Sequence, residues 1–92
     1  MLIQHNAMTR MSDYTFSGFT HTKILNLSNQ SLKNLEDHAF SGLASLEVLD
    51  LSNNILTHFK ISLVECLIDL KHLNIKNNHI TNENFELTNL CH

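Results

Sequence analysis

Residues 46–56 read LEVLDLSNNIL, and this stretch decides how the rest of the chain is interpreted. Apolar and polar residues alternate over Leu49-Asp50-Leu51-Ser52, the pattern of a strand with one buried and one exposed face. The whole stretch follows the spacing L-x-x-L-x-L-x-x-N-x-L. A short, half-buried strand that ends in an asparagine-containing turn is therefore predicted here.

The same pattern recurs along the chain at an offset of 24 residues, which aligns Leu25, Leu49 and Leu73. The polar position after the strand recurs as well, and it is occupied by Asn6, Gln30, Asn54 and Asn78. Such self-similarity is the signature of a repeat architecture. It divides the chain into one array, without visible capping segments, of units 1–21 (incomplete), 22–45, 46–69 and 70–92.

One strand per unit, followed by a return path, predicts parallel strands about 4.7–4.9 Å apart. The leucines of successive units then stack into one core that no single unit builds alone. The asparagine amide at the turn satisfies backbone N–H and C=O groups that lack ladder partners. Gln30 carries one more methylene, so its unit is expected to bond less well or to bulge.

These repeats resemble the leucine-rich-repeat superfamily. The 24-residue period, with Phe40 and Leu43 in the return segment, is similar to the typical extracellular subfamily of Toll-like receptor and Slit-like ectodomains. The resemblance covers essentially the whole chain. It implies an α/β solenoid, a right-handed coil with a parallel concave β-sheet and an irregular or short-helical convex side. Apolar spacings of three and four favour a helical turn within residues 61–70.

Composition restricts the classes of function. The 92 residues are 42% hydrophobic and 16% charged, which excludes a disordered tail. The net charge is −3 and no Lys/Arg cluster is present, so no nucleic-acid partner is expected. Apolar runs are too short for a spanning helix, and residues 1–5 lack the apolar stretch of a secretion signal. Membrane attachment is expected only through a segment that this chain lacks.

The resemblance implies that ligands bind the concave strand face. The candidate contacts are the outward strand positions of three units: Ile24, Asn26, Ser28, Val48, Asp50, Ser52, His72, Asn74 and Lys76. Beside them, Lys23, Glu47 and Lys71 form a column of alternating charge whose members are expected to pair across strands. The alternative is that these positions are only the solvated side of a sheet.

Other candidate sites are few. N-glycosylation triplets begin at Asn26 and Asn29. Cys66 and Cys91 are candidates for a disulfide between adjacent turns; the alternative for Cys91 is a small buried apolar side chain. The seven histidines occupy different repeat positions and are expected to be solvated, so neither a metal nor a cofactor is predicted. No catalytic constellation is recognisable, and the protein is predicted not to be an enzyme.

Together, these features predict a binding module of an extracellular or cell-surface receptor-type ectodomain, whose partner is a protein or another macromolecule. One alternative is an intracellular, cytoplasmic leucine-rich-repeat adaptor, which the two cysteines and the absent signal favour. Another is a truncated array with only a structural role. Leucine-lined ends without caps predict end-to-end self-association.

Overall fold

The computed structural model describes residues 9–60, 63–64 and 67–80. Within these ranges, the regular elements are short β-strands. In chain order they are β1 (Arg10–Met11), β2 (Ile24–Asn26), β3 (Asn34–Leu35), β4 (Val48–Asp50) and β5 (His72–Asn74). Turns and extended connections join them. The described residues contain no helix with the length and apolar character needed to cross a bilayer.

The strands β2, β4 and β5 form a parallel sheet in which β4 lies between the other two. Its register pairs Leu25 with Leu49 and Leu49 with Leu73, an offset of 24 residues at each step. The predicted stacking of these leucines is therefore confirmed. Parallel order follows because each unit contributes one strand and then returns before the next strand begins.

Backbone hydrogen bonds extend this pairing beyond both ends of the short strands. Before the strands, Lys23 O accepts hydrogen bonds from Glu47 N (2.8 Å) and Val48 N (3.0 Å). After them, Leu27 N donates to Asp50 O (2.8 Å). Equivalent bonds join the segments around β4 and β5. The strand side is therefore held in the same way from one unit to the next.

One apolar core lies behind the sheet. Leu25 and Leu49 face it because successive strand residues point to opposite faces. Buried apolar residues from the strands, turns and return paths complete it: Met11, Phe16, Leu27, Leu32, Ala39, Phe40, Leu43, Leu46, Leu51, Leu56, Phe59, Leu63, Val64 and Leu67. The core is thus shared between units, as the repeat pattern predicts.

Asn54 stabilises the turn after β4. Its Oδ1 accepts hydrogen bonds from Gln30 N (2.9 Å) and Leu32 N (3.0 Å) of the preceding unit. Its Nδ2 donates to three backbone carbonyls, those of Leu27 (3.0 Å), Leu51 (2.9 Å) and Ser52 (3.2 Å). Asn78 makes corresponding bonds one unit later, including acceptance from Leu56 N (3.1 Å). The backbone role predicted for both asparagines is confirmed.

Gln30 occupies the same repeat position with a longer side chain. Of the two expectations for Gln30, the bulge is wrong, because the 24-residue register holds both at the β2–β4 pairing and at the β1–β3 pairing that follows Gln30 in the chain. Weaker bonding of this unit stays a prediction. The side chain is buried, and its Nε2 donates to Ser28 O (3.2 Å), the counterpart of the Asn54 bond to Ser52. Asn6 lies outside the described residues.

The residue before this polar position has a left-handed backbone in three successive units. The φ angle is 58° at Asn29, 56° at Asn53 and 58° at Asn77. Asparagine tolerates this conformation better than most residues other than glycine. This second role of asparagine was not predicted, although the residue recurs at the 24-residue offset.

A second parallel pairing lies on the return side. Here β1 pairs with β3, with Arg10 opposite Asn34 and Met11 opposite Leu35. Glu36 N continues the pairing by donating to Met11 O (3.0 Å). Irregular or short-helical structure was expected on this side, and the pairing was missed because two-residue strands are too short to show an alternating pattern.

The return paths are otherwise built from turns. Within the predicted helical turn at residues 61–70, Leu63 N donates to Lys60 O and Leu67 N to Val64 O, both at 3.0 Å and with 3₁₀ spacing. The described residues contain no α-helix, so the α part of the predicted class has no counterpart among them. The right-handedness of the coil stays a prediction. The irregular unit expected after Ile80 lies outside the described residues.

Candidate functional site

The sheet β2–β4–β5 presents one face away from the core, and we call it the outer sheet face. It carries the strand positions that alternate with the buried leucines: Ile24, Asn26, Val48, Asp50, His72 and Asn74. Because the three strands pair in register, these side chains form two rows that cross the sheet. Six of the nine predicted contact residues are therefore brought together on one surface.

The first row is mainly apolar. Ile24 is 56% exposed, Val48 is half-buried, and His72 is exposed at the other end of the row. An exposed isoleucine beside a valine supplies apolar area that a partner can cover. A single exposed apolar residue is common on protein surfaces, so it is the row, rather than Ile24 alone, that makes this a candidate site.

The side chains of the second row form turns at the ends of their own strands. Asn26, Asp50 and Asn74 each use Oδ1 to accept a hydrogen bond from the backbone N–H two residues later, at 3.0, 2.9 and 3.1 Å. Such Asx turns redirect the chain as it leaves a strand. Asn26 Oδ1 also accepts a hydrogen bond from Ser28 Oγ (2.6 Å). These candidate contacts therefore have a structural role that was not predicted.

Two predicted contact residues are not exposed. Ser28 and Ser52 are only 6% and 7% exposed, so their expected position on the open face is wrong. The Asx turns begin at this point, since the backbone amides of Ser28 and Ser52 donate to Asn26 and Asp50, and strand alternation no longer decides which residues are exposed. Lys76, at the same repeat position in the next unit, is exposed. A contact role for the exposed candidates stays a prediction.

The charged column beside the first row contains a cross-strand pair. Lys71 Nζ lies 3.5 Å from Glu47 Oε1, which confirms the expected pairing for these two residues. Both side chains are partly exposed, so the pair contributes little to stability. Its effect on the outer sheet face is to leave Glu47 with a positively charged neighbour.

The two glycosylation triplets lie in different surroundings. Asn26 is half-buried and its Oδ1 is engaged in the Asx turn with Ser28. Asn29 is exposed where the chain has left the sheet. One unit later, the equivalent Asn53 is joined to the next unit, since Asn77 Nδ2 donates to Asn53 Oδ1 (3.0 Å). Glycosylation of either triplet stays a prediction.

The described histidines are dispersed on the surface. They are all exposed: His21, His38, His58, His72 and His79. No group of three or more metal-ligating side chains occurs within residues 9–60, 63–64 and 67–80. His5, His92 and both members of the predicted disulfide, Cys66 and Cys91, lie outside the described residues.

A polar cluster on the return side was not predicted. Asp13 N donates to Glu36 Oε1 (2.9 Å), and the Arg10 guanidinium pairs with the same carboxylate. The amide hydrogen bond and then the arginine lower the pKa of Glu36 below its usual 4.5. Tyr14 stacks on His38, with ring centroids 5.4 Å apart. Tyr14 and His38 are separated by the 24-residue offset, so the sequence repeat could have predicted that they lie next to each other.

Parallel strands stacked at a constant offset, with one shared core and one open face, define a solenoid-type repeat protein. The Leucine rich repeat family model matches residues 1–56, and a second Leucine Rich Repeat model matches residues 69–91. The chain therefore belongs to the leucine-rich-repeat family. A search of curated proteins gave no match. Leucine-rich-repeat domains are generally protein-interaction modules and are typically non-enzymatic.

Proposed function

We propose that this chain binds a protein ligand, or another macromolecule, through its outer sheet face as part of an extracellular receptor-type array. The observation that carries the proposal is the in-register row of Ile24, Val48 and His72 on a sheet whose backbone is fixed at both strand ends. A backbone held by strand pairing loses little further freedom on binding, which favours affinity.

The 24-residue period and the phenylalanines of the return segments support the extracellular part of the proposal. Phe16 and Phe40 stack with their centroids 6.3 Å apart, at the positions where the typical extracellular subfamily has phenylalanine. The exposed Asn29 triplet is suited to a glycan that leaves most of the outer sheet face open. The proposal includes that the outer sheet face is concave and that the solenoid coils in a right-handed sense.

A pair of isoleucine variants tests the binding face. Ile24 on the outer sheet face is 56% exposed, and Ile68 on the return side is 83% exposed. Ligands are selected from a displayed library of extracellular protein domains with the wild-type chain. Ile24→Glu is expected to weaken binding by roughly tenfold or more, while Ile68→Glu leaves it unchanged. Equal binding by the two variants would place the contact elsewhere.

Location requires its own experiment. Cells that express the native gene are labelled with a membrane-impermeant biotin reagent, and the labelled protein is treated with peptide N-glycosidase. Labelling at the surface, or recovery from the medium, is the expected result. Recovery only from the unlabelled cytosol would favour the intracellular adaptor.

End-to-end self-association is part of the same proposal. Four apolar side chains that pack against the core are only partly buried, and a second copy of the chain could cover them: Leu70, Leu73, Ile75 and Ile80. Light scattering on the purified chain is expected to show a mass that rises with concentration. A constant monomer mass would contradict this.

A further inference from the structure

The negative charge of Asp50 is not required by the turn that it caps. Asn26 and Asn74, at the same position in the neighbouring units, accept the equivalent backbone hydrogen bond with an uncharged amide oxygen. The three donor–acceptor distances lie between 2.9 and 3.1 Å. An asparagine at position 50 would therefore serve the fold equally well, and the carboxylate needs another explanation.

Among the described residues, the charge of Asp50 has no counterion. Asp50 is half-buried on the central strand β4, between Asn26 and Asn74. Glu47, three residues earlier, pairs with Lys71. In the part of the chain that the structure describes, no cationic side chain forms an ion pair with Asp50.

A partner that covers the centre of the outer sheet face must take this carboxylate out of water. Burying an ionised carboxylate is costly unless an oppositely charged, hydrogen-bonding group pairs with it. Asp50 Oδ1 already accepts the Ser52 amide, so Oδ2 is the atom left for such a group. Arginine and lysine side chains are the protein groups that meet this requirement.

We infer that Asp50 determines specificity on the outer sheet face by requiring a protein partner that presents an arginine or lysine there. The same partner segment places an apolar side chain on Ile24 and Val48, one row away. This inference rests on the proposed function, since it names the chemistry of the partner for the same face. Lys23, Lys71 and Lys76 around the face oppose partners that are basic throughout, so a single basic residue within an apolar segment fits best.

The substitution Asp50→Asn removes the charge and replaces the Oδ2 acceptor by an amide donor. It keeps the Oδ1 acceptor, and the melting temperature is expected to remain that of the wild-type chain. The matched control is Asp37→Asn, which removes an exposed carboxylate on the return side, where Asp37 lies 3.3 Å from Lys60 Nζ. The probe is a phage-displayed library of random peptides, selected on the full chain and then synthesised.

Selected peptides that lose affinity for Ile24→Glu define the binders of the outer sheet face. These are expected to contain arginine or lysine next to an apolar residue, and to bind Asp50→Asn roughly tenfold or more weakly. Replacing their arginine by citrulline, a neutral analogue, should have the same effect, and Asp37→Asn should have none. Face binders that lack a basic residue, or that bind Asp50→Asn normally, would overturn the inference and leave the proposed function standing. If no selected peptide depends on Ile24, the binding face itself is refuted.

Discussion

The strand side of the array carries β2, β4 and β5, and the return side consists of the segments that connect these strands. The two sides differ in how closely their structure repeats from one unit to the next. On the strand side, β2, β4 and β5 repeat the same register, the same Asx turn and the same left-handed asparagine. On the return side, the position held by Phe16 and Phe40 passes to Val64, and the pairing of β1 with β3 involves only two residues of each strand. The two sides therefore tolerate very different amounts of sequence change.

The difference reflects what each position must supply. Asn54 joins backbone donors and acceptors of two units, and few other side chains have both groups at that reach. Phe16 and Phe40 fill volume, with rings stacked at 15°, and Val64 is also buried at the equivalent position with a smaller side chain. Positions fixed by hydrogen-bond geometry thus repeat closely, whereas positions fixed by volume vary when their neighbours adjust.

The largest effect is expected for Asn54→Ala. Five hydrogen bonds would be lost, and several buried backbone groups would be left without partners. The free energy of unfolding should fall by about 3–5 kcal/mol, measured by urea denaturation. The control is Asn34→Ala on the exposed side of β3, for which the change should stay within about 0.5 kcal/mol. Similar losses for both variants would refute the special role of the turn position.

A glycine pair tests the return side. Gly42 has φ 102°, and a Cβ added there would lie 2.7 Å from Ser17 Cα and 3.0 Å from Phe16 O of the preceding unit. Gly42→Ala is therefore expected to destabilise the chain by about 2–3 kcal/mol. At Gly18, one repeat earlier, an added Cβ would meet no described atom within 4 Å, so Gly18→Ala should change stability by less than about 0.5 kcal/mol. Equal melting temperatures for the two variants would show that the return paths are not in close contact.

The strand side was predictable because its signals are local and repeated. The alternation at Leu49-Asp50-Leu51 identifies the strand, and the 24-residue offset alone fixes the register that pairs Leu49 with Leu73. The pairing of β1 with β3 was not predictable, since it depends on how close the return paths of successive units come. Those distances follow from packing of the assembled array, which a single unit does not encode.

The candidate site was predictable only as a surface. The alternation of apolar and polar residues correctly predicted that Ile24 and Val48 lie on the outer sheet face. The same alternation wrongly predicted that Ser28 and Ser52 are exposed. The error arises because strand periodicity ends where the Asx turn begins, and the turn depends on side-chain hydrogen bonds rather than on hydropathy. Asp50 has a charged carboxylate where Asn26 has a neutral amide, and only the comparison of their Oδ1 hydrogen bonds reveals that this charge is unnecessary for the turn.

A smaller effect is expected at Gln30, which stands where the other units have asparagine. Gln30→Asn shortens a buried side chain at a position where Asn54 and Asn78 show that asparagine completes the turn. The substitution should be neutral or mildly stabilising, within about 1 kcal/mol by urea denaturation. A loss of stability well beyond that range would mean that the longer glutamine fits its own unit better than asparagine does.

The smallest effect concerns acid stability on the return side. Because the pKa of Glu36 is lowered in the folded chain, its charged form stabilises the fold above the unfolded value of about 4.5, and this contribution is lost as the pH falls through the folded pKa. Glu36→Gln should therefore melt at a lower temperature than the wild-type chain near neutral pH, and the difference should shrink and vanish as the pH falls below the lowered pKa of Glu36. Arg10→Gln should retain part of the pH dependence, since the Asp13 amide, the largest cause of the lowered pKa, still donates to the carboxylate. If the melting temperatures of the wild-type chain and Glu36→Gln differ by the same amount at every pH, the glutamate acts through packing and not through its charge. Gly42→Ala would then be the remaining test of contacts on the return side.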